Sequence, residues 1–497
     1  MDVFEKKKAR LERGQPLRVL DLFAGCGGIS LGFQHAGFRI DAAVEFDELA
    51  AQSHALNFHG GDPIHAKARD ITAIEPDELT EELGLGPADQ AFDIVVGGPP
   101  CQAYARVGRA KLREVAAHPT AFKVDARANL YLRYLHYVRR TKPLALLMEN
   151  VPDIMNFGGH NIAEEIAEAL EEMGYVVGYT LANAAFHGVP QLRDRVFLLA
   201  YRRELGIKVT FPKPTRWVEM PPGYGGTRAV AFKLIDLFAS GHFVPEKQGT
   251  PDLPYAVTAT EAIGDLPPIT LHLEGKLKRG ARRFTECIPY PAMTKISDYA
   301  LMLRDWEGFE NNEGVKDHVI RSLPRDTDIF RKMKHGDEYP AAHALAVRLF
   351  EAEAAKIEKR TKKKLTKSAR DELLKKMVPP YPTHNFPNRW WKLRPDQPSR
   401  TLLAHIGKDT YSHIHFDGKQ ARTISVREAA RLQSFPDGFV FCGTMNPAFR
   451  QIGNAVPPIM AWRIAEAMKA SLASAKPSVK PAAKPRKTVS RKTRVAA

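Results

Sequence analysis

The stretch Leu17-Arg-Val-Leu-Asp-Leu-Phe-Ala-Gly-Cys-Gly-Gly-Ile-Ser-Leu-Gly32 decides the fold. Its first residues form a short apolar run that reads as a buried strand. Gly25, Gly27 and Gly28 then let the backbone turn tightly and approach a ligand closely. Ile29 to His35 continues as the start of a helix. Working outward, strand-like and helix-like segments alternate. Phe38 to Val44 is a strand and Glu48 to Phe58 a helix, and a third strand-like stretch precedes Asp70. Phe92 to Val96 and Leu144 to Met148 are further apolar runs, separated by the helical stretch Leu130 to Arg140. Ala163 to Met173 is another helix and Val196 to Ala200 a late strand. This alternation predicts an α/β fold, a doubly wound and mostly parallel sheet with helices on both faces. Ligands of such folds bind at the carboxyl ends of the strands, so the loops there are where chemistry is sought.

From about Phe211 the alternation stops, and prolines and glycines become frequent. Residues 341–378 read as one or two charged helices, including Arg360-Thr-Lys-Lys-Lys-Leu-Thr-Lys367. A solvated face and a DNA contact account for that run equally well. Order returns near Arg400, with a helix from Val426 to Ser434 and a last one from Ile459 to Leu472. From Ala475 the chain repeats Ala-Lys-Pro and Val-Lys-Pro, which cannot build a core and is expected to be a basic, disordered tail.

With 44% hydrophobic and 26% charged residues, the 497-residue chain can bury a sizeable core, in two or three domains. No apolar run approaches the roughly 18 residues of a membrane span. The N-terminal Met1-Asp-Val-Phe-Glu-Lys-Lys-Lys lacks a signal peptide's apolar core, so a cytoplasmic location and no membrane partner are expected. The four cysteines, Cys26, Cys101, Cys287 and Cys442, lie far apart and form no CxxC pair, which predicts no metal and no disulfide framework. The formal charge of +16 points to a polyanionic partner. Eight cations and no acid fall in the last 27 residues, leaving +16 − 8 = +8 for the rest, so basicity supports nucleic-acid binding only modestly.

Two loops carry candidate chemistry. At the first, the spacing of Gly25, Gly27 and Gly28 is not GxGxxG and implies no pyrophosphate. Glu45, at the end of the second strand, can accept hydrogen bonds from both ribose hydroxyls of a nucleoside. Asp70 suits an adenine amino group and Ile71 an apolar contact with the ring. A glycine-rich turn alone is equally a packing turn; the turn with Glu45 and Asp70 favours a nucleoside-bearing cofactor. The second loop, Val95-Val-Gly-Gly-Pro-Pro-Cys-Gln-Ala-Tyr104, places Cys101 at the tip of a rigid turn poorly suited to core packing. A thiolate there can add to carbon 6 of a pyrimidine, making carbon 5 nucleophilic. Glu149 follows the next strand and can serve as the acid near nitrogen 3, although a structural carboxylate at a strand end is the better reading of that residue alone.

Phe23-x-Gly25-x-Gly27, Pro99-Pro-Cys-Gln102, Glu149-Asn-Val151, Gln191-x-Arg193-x-Arg195, Arg427-Glu-Ala-Ala-Arg-Leu-Gln-Ser-Phe-Pro-Asp437 and Gln451-x-Gly-Asn-Ala-Val456 occur in the order found in DNA cytosine-5 methyltransferases. The sequence resembles that family, of the prokaryotic modification-methylase type, over residues 17–215 and 385–472. The resemblance implies a Rossmann-like S-adenosylmethionine-dependent methyltransferase fold. Phe23, Gly25, Cys26, Gly28, Glu45, Phe46, Asp70, Ile71, Pro100, Leu130, Asn454 and Ala455 would surround S-adenosylmethionine. Cys101 would attack the ring, Glu149 would hold nitrogen 3 and the exocyclic amine, and Arg195 would contact the carbonyl oxygen. Arg193 and Gln102 would support the loop and the DNA. The sequence departs from the family at Tyr104-Ala105, where Phe-Ser is commoner, which affects loop–phosphate contacts.

The same resemblance divides the chain. Residues 1–215 and 396–474 would form the catalytic and cofactor-binding domain, and 216–395 a smaller target-recognition domain, followed by the tail 475–497. Arg282-Arg283, Asp317-His318 and Asn388-Arg-Trp-Trp391 are candidates for reading base edges. Double-stranded DNA is the expected partner of a monomeric enzyme, with a cognate restriction endonuclease acting separately as a further one. An exocyclic-amine methylase wants Asp/Asn-Pro-Pro-aromatic, whereas Gly98 and Cys101 flank the prolines here. A transfer-RNA cytosine methyltransferase and a non-catalytic DNA-binding protein on the same fold are the remaining alternatives.

Overall fold

The computed structural model describes residues 2–100, 130–222, 224–238, 241–277, 285–292, 295–385, 387–406 and 411–475. Cys101, Gln102, Arg282, Arg283 and the basic tail beyond Ala475 lie outside them. The strands relevant to the site are β1 (Arg18–Leu22), β2 (Arg39–Val44), β3 (Ile94–Gly97), β4 (Ala145–Asn150), β5 (Tyr175–Asn183), the two-residue β6 (Gln191–Leu192) and β7 (Asp194–Arg202). Six of them form one sheet in the order β2-β1-β3-β4-β7-β5. β1, β2, β3 and β4 pair in parallel, and β7 runs antiparallel to both its neighbours. The sheet is the expected mostly parallel one.

Alternate residues of each strand feed two separate apolar layers, as the two-residue period of a strand requires. Val19, Val96, Leu147, Phe197 and Leu199 pack on one face with Phe33 and Met460. Leu20, Val95, Leu146, Val196 and Leu198 pack on the other with Tyr134, Leu135, Ile166 and Leu170. Burial on both faces explains why the strands read as unbroken apolar runs.

The strand expected before Asp70 does not form. Residues 61–67 turn repeatedly, and only the Arg69 amide, 2.7 Å from the Glu45 carbonyl, ties the segment to the end of β2. The Arg69 guanidinium bonds the Ile64 and Lys67 carbonyls instead, holding a compact loop. A helix at Val3–Glu12, unexpected from its charged sequence, docks by burying Lys7, whose ammonium donates to the Thr141 and Lys142 carbonyls. Burial pushes Lys7 down to about 7.

The last segment returns to the first. Helix Pro458–Ala473 lies so close to helix Gly28–His35 that a Cβ on Gly32 would stand 2.4 Å from the Trp462 amide nitrogen. Between them in sequence, residues 216–395 do not share one core. Val257, Leu266, Leu303, Trp306 and Val319 join the sheet's own apolar layer. Ile329, Phe330, Tyr339, Phe350 and Trp390 form a separate cluster with Ile414 and Ala421. Among the described residues, no helix is long and apolar enough to cross a membrane.

Candidate active site

The carboxyl ends of β1, β2, β3 and β4 and the amino end of β7 meet at one edge of the sheet, through the pairs Leu22↔Val44, Leu22↔Gly97, Gly97↔Met148 and Asn150↔Val196. After β1 the chain turns through Phe23 at φ +58, Gly25 at +57 and Gly27 at +104. At Gly27 a side chain is excluded twice, by the left-handed backbone and by the Phe58 ring 2.2 Å from an ideal Cβ. At Gly28 a Cβ would stand 2.3 Å from the Val456 carbonyl, so the return of residues 455–456 over this turn depends on the missing side chain.

Glu45 closes the turn. Its carboxylate accepts the Gly25 amide on Oε2 at 2.8 Å and the Asp47 amide on Oε1 at 2.7 Å. Each carboxylate oxygen has a second lone pair, which leaves acceptor capacity for hydroxyl donors. Burial raises the Glu45 pKa, and the two amides oppose the rise. Next to it the Phe46 ring is 74% exposed, an apolar surface with no covering side chain. Ile71 is buried and its carbonyl is held by Arg133 Nε, while exposed Asp70 accepts from Thr72 through Oδ1. Leu130 is half-buried at the start of helix Leu130–Thr141, which carries Arg133. Cys26 is buried in the core, with its thiol pushed up by burial, so only its backbone faces the turn's concavity. Asn454 is exposed at the end of helix Met445–Asn454, and Ala455 is buried behind it.

A buried polar group beneath this turn carries no distinguishing mark in the sequence. Asp21 accepts the Ser30 hydroxyl at 2.7 Å, Ser30 in turn meets His54 Nε2 at 3.0 Å, and Asp21 Oδ1 has no partner. Burial raises the Asp21 carboxyl to about 7. In sequence Asp21 is one acid within an apolar run, and its partners lie 9 and 33 residues downstream, at helical positions with no distinguishing pattern.

At the second loop, Glu149 Oε1 lies 2.9 Å from Arg195 Nε, joining the end of β4 to the start of β7. Burial raises the Glu149 pKa, opposed by the charges of Arg195 and Arg193. The other oxygen, Oε2, sits where a Cβ on Gly98 would approach to 2.9 Å. Asn150 Nδ2 donates to the Pro99 carbonyl at 2.8 Å and so ties the loop to β4. Pro100, exposed, is the last described residue before Cys101 and Gln102.

Arg193 is fully buried. Its guanidinium donates to the carbonyls of Leu402, Gly453 and Ala455, so it ties β6 and β7 to the returning segment. Gln191 and Gln433 extend this tie through Gln191 Nε2 to Gln433 Oε1 and Gln433 Nε2 to the Ala455 carbonyl. Four of the candidate base readers turn inward, while Asn388 is exposed and Arg389 half-buried. Asp317 pairs with Arg427, His318 bonds Ser425 and the Pro267 carbonyl, and Trp390 and Trp391 are core residues. Asp317 and His318 spend their polar atoms inside the protein, and burial alone keeps the two tryptophans from base edges.

This geometry, a glycine-rich turn closed by the Glu45 carboxylate beside a carboxylate–guanidinium pair at the Gly-Gly-Pro-Pro loop, agrees with the chain's likeness to known proteins. The chain belongs to the C-5 cytosine-specific DNA methylase family, which matches residues 17–470. It is a DNA cytosine-5 methyltransferase. It is 39% identical to M.OihORF3336P of Oceanobacillus iheyensis, covering 91% of this chain and 95% of the relative. It is 30% identical to the type II methyltransferase M.AgeI of Thalassovita gelatinovora, over 92% of this chain and all of that protein. A solved structure described as a prophage-encoded DNA modification methyltransferase from E. coli superposes with a TM-score of 0.56 at 21% identity, covering 92% of this chain and 99% of that one. That last likeness bears on the fold.

Proposed function

We propose that the enzyme transfers a methyl group from S-adenosylmethionine to carbon 5 of a flipped-out cytosine within a specific duplex sequence, by way of a covalent bond to Cys101. The observation that carries this reading is the half-buried Glu149–Arg195 pair at the foot of the loop leading to Cys101.

The residues around the first turn fit the cofactor. Glu45 has lone pairs left for the ribose hydroxyls, Phe46 offers an exposed apolar face for the adenine, and the one side chain of the Gly25–Gly28 turn, Cys26, is buried in the core and leaves the approach unobstructed. Asp70 and Ile71 complete the adenine side. When bound, S-adenosylmethionine supplies an electrophilic methyl group.

The target carbon is inaccessible in a stacked duplex, so the cytosine must leave the helix to reach this edge. Arg195 fixes Glu149 through Oε1, so Oε2 presents its proton to nitrogen 3 of the base. Burial favours that protonated carboxyl. Protonation at nitrogen 3 draws charge away from the ring as the Cys101 thiolate adds to carbon 6. The electron pair released onto carbon 5 takes the methyl group, and the pair of the broken carbon–sulfur bond would stay on the cofactor's sulfur as a neutral thioether. Loss of the carbon 5 proton to a base then expels the thiolate and restores the aromatic ring.

Residues 216–395 supply target recognition, supported by the separate apolar cluster around Trp390 that stands outside the sheet's two layers. The likeness to type II methyltransferases supports a role in modification beside a restriction endonuclease. Incubating the protein with duplex DNA and labelled cofactor, then analysing the bases, tests the proposal. It predicts 5-methylcytosine, at one sequence context, in duplex DNA. Label on an exocyclic amine, or only in transfer RNA, would overturn it.

A further inference from the structure

Helices Tyr339–Thr361 and Lys367–Met377 form an exposed hairpin. Its root is apolar: Tyr339, Ala342, Ala346, Phe350 and Ala354 are buried along one seam of the longer helix. Arg370 of the second helix lies over the Phe350 ring at 4.9 Å, and it pairs with Glu351, so the two helices are clasped. With 23 residues, the longer helix carries its far end about 30 Å from Tyr339 at roughly 1.5 Å per residue.

That far end is strongly cationic. The nine residues from Lys359 to Lys367 contain six cations and no acid. All six are exposed, and among the described residues none forms an ion pair. Local structure explains only part of this. Lys359 and Arg360 sit in the last turn of a helix, where cations are favoured. Lys362, Lys363 and Lys364 lie beyond that turn. Lys367 opens the next helix, at the end where the dipole favours acids, and that first turn holds none. Six exposed like charges in nine residues, with only the Glu358 carboxylate drawn in beside them by the Leu365 amide, attract a polyanion. Duplex DNA, with a phosphate charge about every 1.7 Å of axis, is such a polyanion.

We propose that the tip of this hairpin, Lys359 to Lys367, grips the phosphate backbone of the substrate duplex away from the target cytosine and contributes affinity without sequence choice. The inference rests on duplex DNA being the substrate. The test uses the full chain, tail included, so that the tail's contribution cancels. The triple variant Lys362→Gln, Lys363→Gln, Lys364→Gln is compared with wild type for binding to a duplex of random sequence across a salt series. The log–log slope is expected to flatten by about 2.7, at roughly 0.9 for each phosphate left unneutralised, with the melting temperature unchanged. Replacing the same three lysines by glutamate should weaken binding further. An unchanged slope in both variants would overturn the proposal, as would a loss confined to single-stranded RNA. Wild-type methylation of duplex DNA, measured in parallel, reports on the underlying reading: if it fails, that reading falls, and if it succeeds with unchanged slopes, only the hairpin's role does.

Discussion

Replacing Gly98 with alanine would put a methyl group 2.9 Å from Glu149 Oε2, where ordinary contact begins near 3.4 Å. The carboxylate must therefore retreat by about half an ångström. Because the obstructed atom is the end of a flexible side chain, the backbone has no need to move. An off-rotamer glutamate costs about 0.5–1.5 kcal/mol, so the variant should fold and melt close to wild type. Function is less tolerant. The retreat stretches the 2.9 Å bond to Arg195 and pulls Oε2 from its place opposite nitrogen 3. Since a misplacement of about 1 Å can cost about 100-fold, the single-turnover rate of methyl transfer should fall between about 10- and 100-fold. Cofactor affinity should hold, because Glu45 and Phe46 lie on the other loop. Rapid-quench methylation on saturating DNA, with calorimetry for the cofactor and a thermal melt, separates these quantities. A wild-type rate, or a loss wholly explained by cofactor binding or unfolding, would refute the reasoning.

Glu45→Ala should weaken cofactor binding at least about tenfold in calorimetry, from the loss of charged hydrogen bonds, with no comparable change in affinity for DNA; equal affinity for the cofactor would count against Glu45 as the ribose ligand. Arg193→Met leaves the Leu402 and Gly453 carbonyls without their donor, so chemical denaturation should show a loss of about 3 kcal/mol, and an unchanged midpoint would dismiss the tie. Asp21 carries a pH signature: its folded pKa is raised from 3.8 to about 7, so the folded state binds the proton more tightly. Its contribution to stability is therefore full at acid pH and is lost as pH rises from about 4 toward 7. Asp21→Asn should flatten that decline, and parallel pH–stability curves for the two proteins would sink the assignment.

The parts of the site legible in the sequence were those built from neighbours in the chain. The turn from Phe23 to Gly28 and the Gly-Gly-Pro-Pro loop each carry their geometry in a few consecutive residues. The two-faced burial of β3, Ile-Val-Val-Gly, is visible as an unbroken apolar run. What could not be read depends on partners far along the chain. Arg193 lies in a motif that suggests a DNA contact, yet its acceptors are 209, 260 and 262 residues away, inside the protein. Trp390, Asp317 and His318 look like surface readers in a polar segment, but a second cluster and the helix from Val426 to Leu432 bury them. The strand before Asp70 gives way to consecutive turns at 61–67, braced by the Arg69 guanidinium through the Ile64 and Lys67 carbonyls and Glu82. The helix Val3–Glu12 was hidden by its charge, because only Phe4 and Leu11 give it apolar contact with the core and Lys7 docks through carbonyls.

The central claim is that a thiolate at position 101 bonds the base during transfer. The direct measurement is to incubate the enzyme and cofactor with duplex DNA carrying 5-fluorocytosine, whose fluorine cannot leave as the carbon 5 proton does. Mass spectrometry of the digested complex then locates the adduct. A DNA–peptide adduct on Cys101, absent from Cys101→Ala, is the predicted result. An adduct on another residue, or methylation of ordinary duplex DNA by Cys101→Ala, would contradict the account.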